Sequence, residues 1–197
     1  MPGSRLNNSE PELTAAQSNK VRIGGGQWRS RLLRFPELPG LRPTPDRVRE
    51  TLFNWLGQDL EGLTCLDLFS GTGALGFEAL SRGASKAVMV EQALPAFKAL
   101  LENRKLLGAG AAEIIHQGAL QFLDADSRRF DVIFLDPPFN QDWLSRLLPL
   151  LRAHLAPDGM VYAEAEAALA DNDDWQVWKH GKAGNVFYHL LKSAHAT

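Results

Sequence analysis

The sequence predicts an α/β fold. Its core is an open, mostly parallel sheet of seven strands with helices on both faces, closed by an antiparallel C-terminal hairpin and preceded by a small hairpin-and-helix extension. Three observations predict it. From Leu63 onward, short apolar runs alternate with helical segments, the pattern of strands buried on both faces of a parallel sheet. A glycine-rich loop joins the first of those strands to the helix after it. Near the C-terminus the alternation stops, and two apolar runs flank Gly181-Lys182-Ala183-Gly184, which reads as a hairpin at the sheet edge.

Taken in order, residues 1–19 are polar and are predicted to be a disordered tail. They lack the apolar centre of a secretory leader. No run approaches the roughly 18 apolar residues that cross a membrane. The lone cysteine, Cys65, allows no disulfide framework within the chain. The expected setting is therefore the cytoplasm, without a membrane. Residues 20–57 form a basic extension. Apolar stretches flank Gly24-Gly25-Gly26 and suggest a small hairpin. The proline-rich residues 36–46 must be extended or turned. Thr44 is predicted to cap a helix with Pro45 at its first position. Val48, Leu52, Trp55 and Leu56 line one face of that helix.

Residues 58–197 carry the alternation. Strands are predicted at Thr64–Phe69, Ala87–Glu91, Glu113–His116, Asp131–Asp136 and Met160–Glu164. Helices are predicted at Ala74–Ser81, Pro95–Leu107, Leu120–Ala125 and Trp143–Leu155, with Gly83 and Gly108 at two of their ends. Pro149 should kink or split the last helix. Trp175–Lys179 and Val186–Leu191 form the closing hairpin.

The net charge of −2 hides an asymmetry. Between Lys20 and Glu50 lie eight basic and three acidic residues, a local balance of +5 on a body of −7. Such a block suggests a polyanionic partner bound at one end, against the plainer reading of a solvated face. Six acidic residues and no basic ones lie between Asp158 and Asp174, so that edge is expected to face away from the polyanion.

Two loops carry chemistry. In Asp67-Leu68-Phe69-Ser70-Gly71-Thr72-Gly73-Ala74-Leu75-Gly76, the glycines let the backbone turn and approach a ligand, and the helix behind offers free N–H groups. Ligands of open parallel sheets bind beyond the carboxyl ends of the strands. The next strand ends in Glu91, whose carboxylate can accept from both hydroxyls of a ribose. Gly71-x-Gly73-x-x-Gly76 also satisfies the dinucleotide fingerprint. Asp67 weighs against that reading: a buried carboxylate would repel a pyrophosphate but not the cationic amino acid portion of S-adenosylmethionine.

The second loop, Asp136-Pro137-Pro138-Phe139, follows the fourth strand. Two prolines fix the backbone and remove two donors. The Asp136 carboxylate and the Pro137 carbonyl could then hold both N–H hydrogens of an exocyclic amine on a nucleic-acid base and expose its lone pair. Phe139 could stack on a flipped base. On this reading Asp136 needs no raised pKa. The five histidines show no metal-ligand spacing, and no metal is expected.

LDLFSGTGALG resembles the cofactor loop of class I methyltransferases, and Asp-Pro-Pro-Phe resembles the signature of amino-group methyltransferases. With RIGGGQWRSRLLRFPELPGLRPTPDRVRETLFNWL, they are similar to the RsmD family of bacterial 16S ribosomal RNA guanine-N2 methyltransferases over about residues 20–192. The resemblance implies a Rossmann-like, S-adenosyl-L-methionine-binding catalytic domain at 58–197. It implies a monomer acting on 16S rRNA in an assembling 30S subunit. Asp67, Phe69, Ser70, Gly71, Thr72, Gly73, Glu91, Gln92, Gln117, Gly118 and Ala119 become the cofactor candidates, and Asp136, Pro137, Pro138 and Phe139 the catalytic ones. Arg22, Arg29, Arg42, Arg47 and Arg49 become RNA-contact candidates. Many relatives carry an acidic residue where Gly118 stands, so adenine recognition would fall to Gln117 or a neighbouring backbone group. Methylation of adenine N6 or cytosine N4, a nicotinamide-dependent oxidoreductase and a non-enzymatic RNA-binding module are the alternatives.

Overall fold

The computed structural model describes residues 19–195. The predicted tail lies outside these residues, apart from Asn19. That residue opens β1 (Asn19–Arg22), which pairs antiparallel with β2 (Leu32–Phe35). A helix, α1 (Asp46–Leu56), follows the proline-rich segment.

The main sheet has seven strands: β3 (Thr64–Asp67), β4 (Lys86–Glu91), β5 (Ala112–His116), β6 (Phe130–Leu135), β7 (Leu155–Ala165), β8 (Trp175–Ala183) and β9 (Val186–Ser193). Their order is β5-β4-β3-β6-β7-β9-β8. The first five in this order are parallel, and β9 runs antiparallel to both β7 and β8. The chain order reverses between β3 and β6, so the carboxyl ends of these two strands flank the switch point where open sheets bind ligands. Helices α2 (Ala74–Ser81), α3 (Leu94–Leu107), α4 (Ala119–Ala125) and α5 (Trp143–Leu151) make the crossovers.

Alternate strand residues enter two cores, one on each face of the sheet. Cys65, Ala87, Met89, Val132, Phe134 and Tyr162 join residues of α1, α2 and the β1–β2 hairpin. Leu66, Val88, Val90, Ile133, Leu135 and Val161 join residues of α4 and α5. The extension is thus part of the covering of one face. Asn103 of α3 ties the hairpin down further by exchanging two hydrogen bonds, 3.0 and 2.7 Å, with the backbone of Arg34.

Two local expectations change. The residue before α1 is Pro45, and Thr44 makes no capping bond. Its hydroxyl turns instead toward two carboxylates, described below. Pro149 sits inside α5, which ends at Leu151 in a short 3₁₀ turn (Arg152–His154) rather than running on to Leu155.

Candidate active site

The glycine loop sits between the ends of β3 and β4. Ser70 N–H donates to the Val90 carbonyl at 3.0 Å, and Gly71 N–H donates to Glu91 Oε2 at 2.8 Å. The other oxygen, Glu91 Oε1, accepts from Ala93 N–H at 2.7 Å. Gly71 and Gly73 have φ of 48° and 80°, the left-handed region where a side chain is strained. Ser70, Thr72 and Gly73 are buried, whereas Phe69, Gly71 and Glu91 remain partly accessible. Phe69 meets the Trp143 ring edge-on at 5.3 Å between centroids.

Asp67 is 2% exposed, and its Oδ1 has no hydrogen-bond partner among the described residues. Burial pushes its carboxyl up from an ordinary 3.8 to about 7, against backbone hydrogen bonds from Phe69 and Gly76. An orphaned buried oxygen behind the glycine loop fits a cationic group arriving there.

The third segment lies across the ends of β4 and β5. Gln117 N–H donates to the Glu91 carbonyl at 3.1 Å. Gln92 Oε1 is 3.4 Å from where a Cβ on Gly118 would stand. Gln92, Gln117 and Gly118 therefore gather at one place, with Ala119 buried at the start of α4. His116 stacks on Phe97 at 4.8 Å and bonds the Gln92 carbonyl, a structural role.

Asp136 follows β6 directly, across the switch point from the glycine loop. Pro137 is buried, and Phe139 is 37% exposed. The next residue, Asn140, donates its N–H to Glu166 Oε2 at 3.0 Å. Asp136 differs from expectation. Burial, followed by the nearby Glu164 carboxylate, pushes its pKa well above the usual carboxylate range. Glu164, in β7, is 5% exposed. Its Oε1 accepts from the Tyr162 hydroxyl at 2.8 Å and from the Thr44 hydroxyl at 3.0 Å. Thr44 Oγ1 also lies 3.4 Å from Asp136 Oδ2.

Glu164, Tyr162 and Thr44 were not among the candidates from sequence. Two residues of the acidic run from Asp158 to Asp174 lie here: Glu164 beside Asp136, and Glu166 on the Asn140 N–H. The signal was a carboxylate at the end of an otherwise apolar strand, the feature that marked Asp67, Glu91 and Asp136.

The arginines divide. Arg22, Arg29, Arg42 and Arg47 are exposed. Arg49 is 2% exposed and is not available to a phosphate. Its guanidinium donates to the Thr44 and Arg22 carbonyls, both at 2.6 Å, and to Asp46 Oδ1 at 2.7 Å. Its Nε lies 3.6 Å from Glu78 Oε2. Arg49 therefore ties β1, the segment before α1, and α2 together.

The family model described as Conserved hypothetical protein 95 matches residues 21–192. The chain is 41% identical over 180 residues to ribosomal RNA small subunit methyltransferase D of Escherichia coli K12, covering 89% of this chain and 91% of that protein. It is 39% identical to the protein of the same name from Haemophilus influenzae, covering 91% and 97%. The solved structure of yhhF from Escherichia coli superposes with a TM-score of 0.79 at 40% identity, covering 89% of this chain and 98% of that one.

Proposed function

The chain belongs to the Conserved hypothetical protein 95 family, that of ribosomal RNA small subunit methyltransferase D, and on that premise we propose that it methylates the exocyclic N2 amine of a guanine in 16S ribosomal RNA. The observation that carries the reading is the placement of Asp-Pro-Pro-Phe at the end of β6, one strand from the Asp67–Gly76 loop. S-adenosylmethionine, when bound, supplies an electrophilic methyl group on a sulfonium. Asp67 would hold the cationic amino acid end, and Glu91 the ribose hydroxyls. Phe69, Ser70, Gly71, Thr72 and Gly73 line the turn between them. Gln92, Gln117, Gly118 and Ala119 gather where the adenine would lie.

Asp136 and the Pro137 carbonyl accept the two amine hydrogens and turn the nitrogen lone pair out of conjugation with the ring. The rigid turn fixes those acceptors, so little reorganisation is needed as the bond forms. Phe139, partly exposed beside them, offers a face for the unstacked base. Arg22, Arg29, Arg42 and Arg47 supply phosphate contacts. All these groups come from one chain, so a cytoplasmic monomer working on the assembling 30S subunit suffices.

The test is transfer of labelled methyl from S-adenosylmethionine to small-subunit RNA or immature particles, followed by nucleoside mass spectrometry. N2-methylguanosine is expected. N6-methyladenosine or N4-methylcytidine would replace the guanine assignment. Asp136→Ala is expected to keep cofactor affinity and to lower the single-turnover rate about 10²–10³-fold. A variant as fast as wild type would leave the proline turn a scaffold.

A further inference from the structure

Glu164 is a buried acid that holding an amine with Asp136 and Pro137 leaves unused. The Thr44 hydroxyl stands between the Asp136 and Glu164 carboxyls, 3.4 Å from Asp136 Oδ2 and 3.0 Å from Glu164 Oε1, and each carboxyl shifts the titration of the other. The charged and titratable groups around them are Asp67 on β3, Tyr162 on β7 and Tyr188 on β9. Arg49 on α1 meets this group only at the Thr44 carbonyl, and the rest of its guanidinium is engaged by the Arg22 carbonyl, Asp46 and Glu78. Glu164 is buried and Asp136 half-buried, and two adjacent carboxyls so placed share a proton rather than both ionising. Burial raises the Glu164 carboxyl as well, but the Tyr162 and Thr44 hydroxyls both point at its Oε1 and favour the ionised form there over ionised Asp136. The shared proton is thereby placed on Asp136.

We propose that Glu164 is a positioning residue that, through Asp136, takes up the proton released by the methylated amine. This rests on the amine-methylation reading. One oxygen of the Asp136 carboxyl donates its proton to Glu164, and the other accepts an amine N–H. As the N–CH₃ bond forms and the S–CH₃ bond breaks, the electron pair stays on sulfur and the positive charge passes to nitrogen. The nitrogen then loses its proton to the free oxygen of Asp136, while the proton on the other oxygen moves to Glu164. Asp136 ends with one proton, as it began, and Glu164 ends neutral. Thr44 makes the N-terminal extension a party to this chemistry, because its hydroxyl touches both acids.

The experiment is the pH profile of single-turnover methylation for wild type, Glu164→Gln, Thr44→Val and Tyr162→Phe. In wild type the rate falls on the acid side as Glu164 takes a proton. In Glu164→Gln the amide donates to Asp136, which titrates alone, and the acid limb moves down by about one pH unit or more. Thr44→Val and Tyr162→Phe remove donors to ionised Glu164, so their limbs move up. RNA KM and cofactor affinity stay within about twofold, well under the tenfold that 1.4 kcal/mol brings. An equal drop in rate at every pH, with the limb unmoved, assigns Glu164 to packing and overturns the relay alone. Infrared spectroscopy of the free protein gives a second reading that needs no turnover. Above the pH at which Asp67 titrates, about 7, wild type should keep a protonated-carboxyl band that Glu164→Gln and Asp136→Asn lose. Absence of that band overturns the shared proton. A wild type with the band but no methyl transfer to RNA overturns the amine reading, and the relay with it.

Discussion

Asp67 costs the fold stability at neutral pH and above. Its carboxyl titrates at about 7 in the folded chain and at 3.8 when unperturbed. Between those values the folded state holds a proton that the unfolded state has given up, so stability falls as pH rises through this window and levels off above it. Ionising Asp67 in the fold costs on the order of 4 kcal/mol. Asp67→Asn is therefore expected to raise the melting temperature at pH 8 and to change it little at pH 4, where both forms are neutral. The same substitution removes the negative charge that would face a cationic ligand, and cofactor affinity measured by calorimetry should fall. Greater stability at both pH values would mean that the gain came from packing rather than from charge. The buried position of this acid was legible in sequence, because Asp67 interrupts an apolar strand. The pairing of Asp136 with Glu164 was not. It joins two strands and a loop far apart in the chain, and one-dimensional patterns carry no register between them.

At the scale of elements, the extension depends on backbone that can approach a helix. Gly26 has φ of 75°, and a Cβ there would lie 1.7 Å from the carbonyl oxygen of Ser81. The same approach carries hydrogen bonds from Gln27 N–H to that carbonyl at 2.7 Å and from Trp28 N–H to Ser81 Oγ at 2.8 Å. Gly40 has a similar φ of 78°, but a Cβ there would meet nothing within 4 Å among the described residues. Gly40→Ala is expected to cost only the left-handed penalty, about 1–2 kcal/mol. Gly26→Ala must also push the hairpin off α2, and the destabilisation seen in chemical denaturation should exceed about 3 kcal/mol. Equal costs would show that the hairpin shifts freely. The sequence marked Gly24–Gly26 as a turn, since glycine between apolar runs is a local signal. It did not show the helix beneath, since docking is a tertiary matter. Thr44 failed for a related reason. Ser or Thr before a proline and a helical run reads as a cap, yet a buried hydroxyl goes to the strongest acceptors in reach, and here those are carboxylates.

Over the whole molecule, charge is sorted by place. The carboxyl edge of the sheet presents Asp67, Glu91, Asp136 and Glu164, while the extension holds the basic block. On the proposed reading, the extension is the surface whose charge suits a polyanion, and only the reacting group would enter the acidic edge. Arg42, with Lys20, lines a cleft of about 630 Å³ beside the proline-rich segment. Leu41, its neighbour, packs against Gly71, so this segment links the cleft to the glycine loop. Arg47 is exposed on the first turn of α1. Arg42→Ala with Arg47→Ala is expected to raise RNA KM, leave cofactor affinity unchanged and flatten the salt dependence of binding. The slope of log affinity against log salt should fall by about 1–2, roughly one for each phosphate that is no longer neutralised. Arg49→Ala should behave in the opposite way. It leaves the Thr44 and Arg22 carbonyls without their donor in a buried site, while Glu78 keeps Arg82 and the Gly24 N–H, which lowers stability by about 2–4 kcal/mol, with the salt slope of the folded fraction intact. A double variant that binds RNA with the wild-type slope would move the docking surface away from the proline-rich segment and α1. An Arg49 variant with a flatter slope and wild-type stability would show that this buried guanidinium reaches the phosphates after all.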